Sequence, residues 1–247
     1  EWNSAPQGEK LAAQDRILTP PPFAARIATP GGVIDVPADS EVRLLETPGD
    51  GGPAVELIRG RLLAEPSSKA GTLHVTYQGQ TLDMERPADM AVGFEVGSAW
   101  SPGELVVGPS PLTIHVGPGG DLSLRTVKLK ETVKGPATVR LQATGELDRP
   151  KNAAPADWIA GEQPSAEATS LRERYEREFT ADRPVLADIV SATENDDPEI
   201  KRLAVASLRA LGDLSLLTPI LDRPSDPAAR QAAIAELRKE LSSGGAA

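Results

Sequence analysis

The 247-residue chain contains no cysteine. That removes disulfides, thiolate metal sites and cysteine nucleophiles, and leaves the compartment open, since many secreted proteins also lack the residue. Only two histidines are present, His74 and His115, which excludes a multi-histidine metal centre. Aromatic residues are 3% of the chain, so any core has to be assembled from Val, Leu, Ile and Ala. No apolar run approaches the roughly 18 residues that span a bilayer, and no signal-peptide pattern is present. Positive charge is also short: 26 Lys and Arg stand against 36 Asp and Glu, a net charge of −10. An acidic chain of this kind repels nucleic acid and anionic lipid, which excludes both as bulk partners.

The excess is in Gly (22) and Pro (23), above ordinary usage but short of low complexity. The length suits one large or two modest domains. The chain starts at Glu1 rather than at Met, and the expectation is an excised or processed portion whose membrane anchor, a transmembrane helix, lies upstream of Glu1.

Four regions are expected. Residues 1–23 read as an irregular lead-in ending in Thr19-Pro20-Pro21-Pro22, with at most a short helix over Glu9–Leu18. Residues 24–148 read as an all-β domain. Leu73, Val75 and Tyr77 alternate strictly, as do Met90, Val92, Phe94 and Val96; pairs such as Val42 and Leu44, Val55 and Leu57, Leu82 and Met84, Ile114 and Val116, Leu122 and Leu124, Val127 and Leu129, and Val139 and Leu141 continue the pattern. Period-two alternation buries one face of each strand, and turn clusters about every ten residues predict a sandwich, barrel or solenoid of short strands. Helical crossovers are missing, which excludes Rossmann and TIM-type folds. Residues 149–164 read as a linker, with Trp158 and Ile159 pinning it to a neighbouring region.

Residues 165–247 read as an α-helical domain. Leu171, Tyr175 and Phe179 recur at helical spacing, and Asp182-Arg183-Pro184, Asp197-Pro198 and Asp226-Pro227 mark helix starts. An Asp cap followed by a first-turn Pro satisfies orphan amides and pre-sets the backbone. A shorter helix is expected over Leu214 to Leu221. DPEIKRLAVASLR (197–209) and DPAARQAAIAELR (226–238) form a short internal repeat, which shared helix physics alone also explains.

Candidate chemistry is sparse. Asp83 and Glu85 sit at strand spacing on one face, and Asp89 and Glu95 are near in sequence; paired carboxylates serve glycoside hydrolysis across an aromatic-lined cleft, but solvated strand faces are the plainer reading. Glu194-Asn195-Asp196-Asp197 lacks the order of a calcium loop, and Asp197 is better explained as a cap. His74 and His115, opposite the apolar faces of their strands, are expected on the solvent side. No Gly-x-Ser-x-Gly elbow accompanies them. The glycine runs at 49–52 and 117–120 are turns, without a phosphate-loop Lys. Lys128, Lys130 and Lys134 read as a solvated strand edge. Trp2, Trp100 and Trp158 fall in connections, as plugs over a core edge or as binding hot spots. No catalytic, cofactor-binding or metal-binding residue is assigned, and no cofactor is expected.

Gly32-Val33-Ile34-Asp35-Val36 through Ser40-Glu41-Val42-Arg43-Leu44, then Val55-Glu56-Leu57-Ile58-Arg59-Gly60, Leu73-His74-Val75 to Leu82, and Val92-Gly93-Phe94-Glu95-Val96 carry a resemblance. The stretch 31–96 resembles the extracytoplasmic FecR-type domain of anti-sigma regulators, with the closing Gly-Thr-x-Phe-x-Val lacking its Thr here. Asp196–Asp213 resembles a HEAT-type helix. The resemblance implies an α+β multidomain protein: an all-β roll or solenoid followed by a small HEAT-like helical bundle. It further implies a non-enzymatic, periplasmic sensory or interaction region of a membrane-anchored signalling regulator, whose partner is an envelope receptor or regulator protein. A carbohydrate-binding or glycan-processing β protein is the alternative.

Overall fold

The structure is a computed structural model. It describes residues 8–96, 110–150, 153–161, 165–180, 183–223 and 225–242. The chain divides into two compact units, one formed by Ala12–Thr19 and Ala24–Glu162, the other by Glu1–Leu11, Pro20–Phe23 and Gln163–Ala247.

The β unit contains, among the described residues, β1 (Arg16–Thr19), β2 (Ala25–Thr29), β3 (Gly32–Val36), β4 (Ser40–Leu44), β5 (Ala54–Ala64), β6 (Gly71–Tyr77), β7 (Gln80–Arg86), β8 (Val92–Val96), β9 (Leu112–Val116), β10 (Asp121–Arg125), β11 (Lys130–Lys134), β12 (Ala137–Leu141) and β13 (Leu147–Asp148). They form one curled sheet of two limbs that share β5. The first limb runs β11-β10-β7-β6-β5-β4-β1, the second β2-β3-β5-β8-β9-β12-β13. β5 serves both because it is bent. Its first half pairs with β4 and β6, its second with β3 and β8. Val55 and Leu57 face the core before the bend, Leu62 and Ala64 after it, so the inward parity slips by one residue. The register shift opposite Glu41 and Val42 marks that extra residue as a bulge. That extra residue is Ile58; Gly60, two places on and opposite Val96, is at φ +79°, and a Cβ on it would lie 2.4 Å from the Asp39 carbonyl oxygen.

One core joins both limbs: Val42, Leu57, Val75, Leu82 and Leu122 from the first, Ile34, Leu62, Phe94, Ile114 and Val139 from the second. It is almost wholly aliphatic. β5 and β6 are parallel, and the other described pairs are antiparallel. A solenoid stacks parallel strands from coil to coil, so the pairing fits the curled sheet and not the solenoid. Two further expectations are corrected. The lead-in, expected to be irregular with at most a short helix over Glu9–Leu18, instead holds β1, because Ile17 and its neighbours pair with β4. Val127 is fully exposed in the β10–β11 turn, and strand pairing resumes at Lys130.

The helical unit contains α1 (Ala166–Glu176), α2 (Val185–Ala192), α3 (Pro198–Ala210), α4 (Thr218–Leu221), continuous with a 3-10 turn over Leu214–Leu217, and α5 (Pro227–Ser242). Ser165 caps α1, Asp197 caps α3, and Asp226 accepts the Ala229 amide at the start of α5. Asp182 and Leu241 lie outside the residues whose side chains are described. α3 packs against α2 and α5. Phe23 stacks on Tyr175 (ring centroids 5.6 Å) and meets Phe179 edge-on, so the proline-rich segment Pro20–Phe23 belongs to this core. Tyr175 donates to Ser207, whose hydroxyl donates to the Pro21 carbonyl. Arg209 of α3 and Glu236 of α5, each 6% exposed, form a buried ion pair at 2.7 Å.

Candidate functional site

Both histidines lie on outward faces of the sheet, yet both are buried, His74 at 7% exposure and His115 at 6%. The expectation of solvent-side residues is therefore corrected: alternation places them on the outer face, but in each case a non-strand segment covers that face.

His74 sits on β6, and the β6–β7 turn sets its partner. Tyr77 pairs with Gln80, so counting back along the hairpin puts His74 opposite Asp83. The ring Nδ1 lies 2.7 Å from Asp83 Oδ1. Nε2 lies 3.0 Å and 3.1 Å from the two oxygens of Asp50, which projects from the glycine-rich turn before β5. Burial alone would lower the imidazole pKa. Hydrogen bonds to Asp83 and Asp50, with their charges, outweigh it and hold the ring above its ordinary 6.5. Asp50 in turn is held below the usual carboxylate range, first by the Gly52 amide, with burial opposing, then by His74. With both nitrogens facing carboxylates, the ring is arranged as an imidazolium donor twice over.

His115, on β9, lies beneath residues 153–161. Its Nδ1 accepts the Ala156 amide at 3.3 Å, which leaves the proton on Nε2, 3.4 Å from Glu95 Oε2. Thr138 donates to the Ala154 carbonyl. Trp158 meets the His115 ring edge-on at 5.6 Å, and Arg61 lies 5.4 Å from the Trp158 ring centre. Ile159, with Trp158 beside it, packs on Leu63 and Ala91. Gly93 admits them: a Cβ there would lie 2.6 Å from both Ile159 Cγ2 and Trp158 Cη2. Glu95 is held below the usual carboxylate range by His115, with burial opposing and Arg61 adding to the effect. Residues 153–161 are thus a strap bound flat on the second limb, and Trp158 is its plug.

The remaining candidates separate. Asp83 is taken by His74, while Glu85 sits opposite Thr72 and Ser123, so the two do not act as a carboxylate pair. Asp89 is in a turn at φ +61°, its amide bonded to the Ser67 carbonyl. Glu194 pairs with Arg223, Asn195 accepts the Asp197 amide, and Asp197 caps α3 and binds Arg174. Lys130 and Lys134 are on β11, the terminal strand of the first limb, and Lys128 in the preceding turn donates to the Thr144 carbonyl. Trp2 and Trp100 lie outside the described residues.

A carboxyl pair went unread in the sequence. Asp35 of β3 and Glu65, just past β5, share a hydrogen bond beside Arg26. Burial first, then Glu65, pushes Asp35 up to about 6, while Glu65 is held low by Asp35 and Arg26 against its own burial. The pair titrates as one unit, and its shared proton is lost as pH rises through about 6.

No family model matches the chain, and no curated protein matches it. Two crystal structures of a "putative anti-sigma factor" from Parabacteroides distasonis ATCC 8503 are similar to part of it. One has a TM-score of 0.40 and 14% identity, covering 57% of this chain and 61% of that one. The other has a TM-score of 0.42 and 16% identity, covering 66% of this chain and 73% of that one. The first alignment spans about three-fifths of its counterpart's length. Likeness at this level leaves the function to be read from the residues themselves.

Proposed function

We propose that the chain is the protein-binding part of a membrane-anchored envelope signalling regulator of the anti-sigma type, working by a change in partner binding and not by bond chemistry. The observation that carries this reading is the employment of the two histidines. They are the side chains whose ordinary pKa lies near neutral pH, and each is spent on fastening a covering segment to the sheet. The resemblance of residues 31–96 to FecR-type domains supports the same reading, since that stretch builds β3 to β8. The helical unit, with the Asp-Pro-capped α3 and α5 packed on each other, is a HEAT-like surface for protein contact. The periplasmic location and the anchor upstream of Glu1 belong to the proposal. The net charge of −10 fits a protein partner better than nucleic acid.

Deleting the full-length protein from its own cells, then restoring it with or without residues 24–148, tests the reading. A defined set of transcripts should change on deletion and be reset by the intact form alone. Unchanged transcripts, together with binding heat for a member of a glycan panel in isothermal titration, would replace it with the carbohydrate reading.

A further inference from the structure

The covering of His74 differs in kind from that of His115. At His115 the strap is fastened by apolar packing of Ile159 and Trp158. At His74 the covering turn is Pro48-Gly49-Asp50-Gly51-Gly52-Pro53, with no large apolar side chain, and Glu46 to Gly51 are exposed. Its side-chain link to β6 is the Asp50 carboxylate on Nε2. Gly52 lies against the strand so closely that a Cβ would be 2.8 Å from the Thr72 carbonyl oxygen and 3.1 Å from His74 Nε2.

We propose that residues 48–52, ahead of Pro53 whose carbonyl accepts the His74 backbone amide at 2.9 Å, are a proton-operated latch on the outer face of the first limb, shut while the His74 imidazolium bridges Asp50 and Asp83 and released when the ring loses its proton. A neutral imidazole carries one N–H. It can satisfy one carboxylate, and the other then faces a lone pair at about 3 Å, a repulsive contact. Which side yields follows from the backbone. Asp83 is fixed within β7, paired to β6 on one side and to β10 on the other, where Arg125 stands opposite it. Asp50 is flanked by Gly49, Gly51 and Gly52, with its side chain 44% exposed. The turn therefore moves and the strand stays.

Other charged groups around the ring leave the two aspartates in control. On β5, the residue in register with His74 is Ala54; Glu56, two places along, is paired to Arg43 at 3.0 Å. On β7, Glu85 is opposite Thr72, one step diagonal to the ring. Because the two carboxylates raise the affinity of the ring for its proton, the latch stays shut to a higher pH than an exposed histidine would hold it. It opens as pH rises through the raised value. Release bares Thr72 and His74 on a sheet face that is otherwise covered. The device stands on this geometry alone and does not need the regulatory reading to hold.

Nuclear magnetic resonance of the whole labelled chain between pH 5 and pH 9 tests it. The His74 ring signals should titrate with a midpoint above the ordinary value of about 6.5. The amides of Gly49, Gly51 and Gly52 should shift with that same midpoint, while Gly117 and Gly119, in a different turn, should not. Asp50→Asn alters a partly exposed side chain and leaves the core intact. It should lower the His74 midpoint, because one of the two carboxylates that raise it is gone, and abolish the shared titration of the glycines. A His74 midpoint at or below that of an exposed histidine overturns the proposal, as do glycine amides that ignore the ring or an Asp50→Asn chain that still shows the coupled shift.

Discussion

Gly93→Ala is a one-methyl test of the strap on the second limb. The new Cβ would meet Ile159 Cγ2 and Trp158 Cη2 at 2.6 Å, and Trp158 Cζ3 at 3.1 Å. Trp158 has little freedom to retreat, with His115 at its edge and Arg61 near its ring. If the strap stays, overpacking of this kind costs about 1–3 kcal/mol. If it lifts, Ile159, now 8% exposed, loses burial worth about 2 kcal/mol, and the ring contacts of Trp158 lose roughly another 1 kcal/mol. Against that, Trp158 Nε1 is buried without a hydrogen-bond partner, and rehydrating it returns about 1 kcal/mol. Both routes converge on a net loss near 2 kcal/mol. Urea denaturation followed by circular dichroism reads the loss. Emission from Trp158, isolated by Trp2→Phe and Trp100→Phe, separates the routes, because only lifting shifts it to the red. A Gly93→Ala chain of unchanged stability with unshifted emission would refute the placement of the strap.

Three further outcomes follow from the same geometry. Gly60→Ala sets a Cβ against the Asp39 backbone at 2.4 Å and at φ +79°; the strain should cost at least about 3 kcal/mol, read as a large fall in the thermal midpoint of the β signal. Glu236→Gln takes from the buried Arg209 the carboxylate at 2.7 Å and should cost about 2 kcal/mol, whereas the double change Arg209→Met with Glu236→Leu should cost less than either of its component single changes, in a double-mutant cycle from urea midpoints. Asp35, raised from 3.8 to about 6, binds its proton more tightly folded than unfolded, so its contribution is greatest in acid and declines as pH rises from about 4 through 6. Glu65 works in the opposite sense and solvent screens the site, so the decline is about 1 kcal/mol. Asp35→Asn should lack it, and urea midpoints taken at pH 4 and pH 7 check this.

The strand alternation made most of the β core legible. Val42, Leu73, Val75, Leu82, Phe94 and Ile114 all point inward as their spacing predicts. The Asp-Pro helix starts at 197 and 226 were equally plain, because cap and first-turn Pro act within a few residues. β1 and β2 were harder. Their residues, RILT and ARIAT, are short and flanked by Pro, and their strand character comes from pairing with β4 and β3, not from local preference. The slip in parity across β5 was readable in principle, since Val55 and Leu57 are odd-numbered and Leu62 is even. The sequence shows that as a break between two strands as readily as a bulge in one, and the register shift opposite Glu41 and Val42 within the unbroken β5 decides for the bulge.

The candidate sites divide along the same line. His74 opposite Asp83 follows from hairpin counting, because both are measured from one tight turn at Gln78-Gly79. Asp50 and the strap at 153–161 obey no such count. A period of two reports which face of a sheet a residue takes, and it is silent on whether that face meets water. The covering segments are aperiodic, and they reach the sheet across 24 residues for Asp50 and 41 for Ala156. What the chain does signal is the room left for them. Small residues stand where a covering segment comes close: Gly52 against Thr72 and His74, and Gly93 beneath Trp158 and Ile159. A glycine inside a strand, on the face opposite the core, weakens the strand unless another piece of chain occupies its space. Gly93 is such a glycine, with Val92 and Phe94 buried on either side of it. Its presence in an otherwise well-formed strand therefore implies a cover, and the nearby Trp158-Ile159 pair in a linker that has no other use for large apolar side chains is the matching half of that signal.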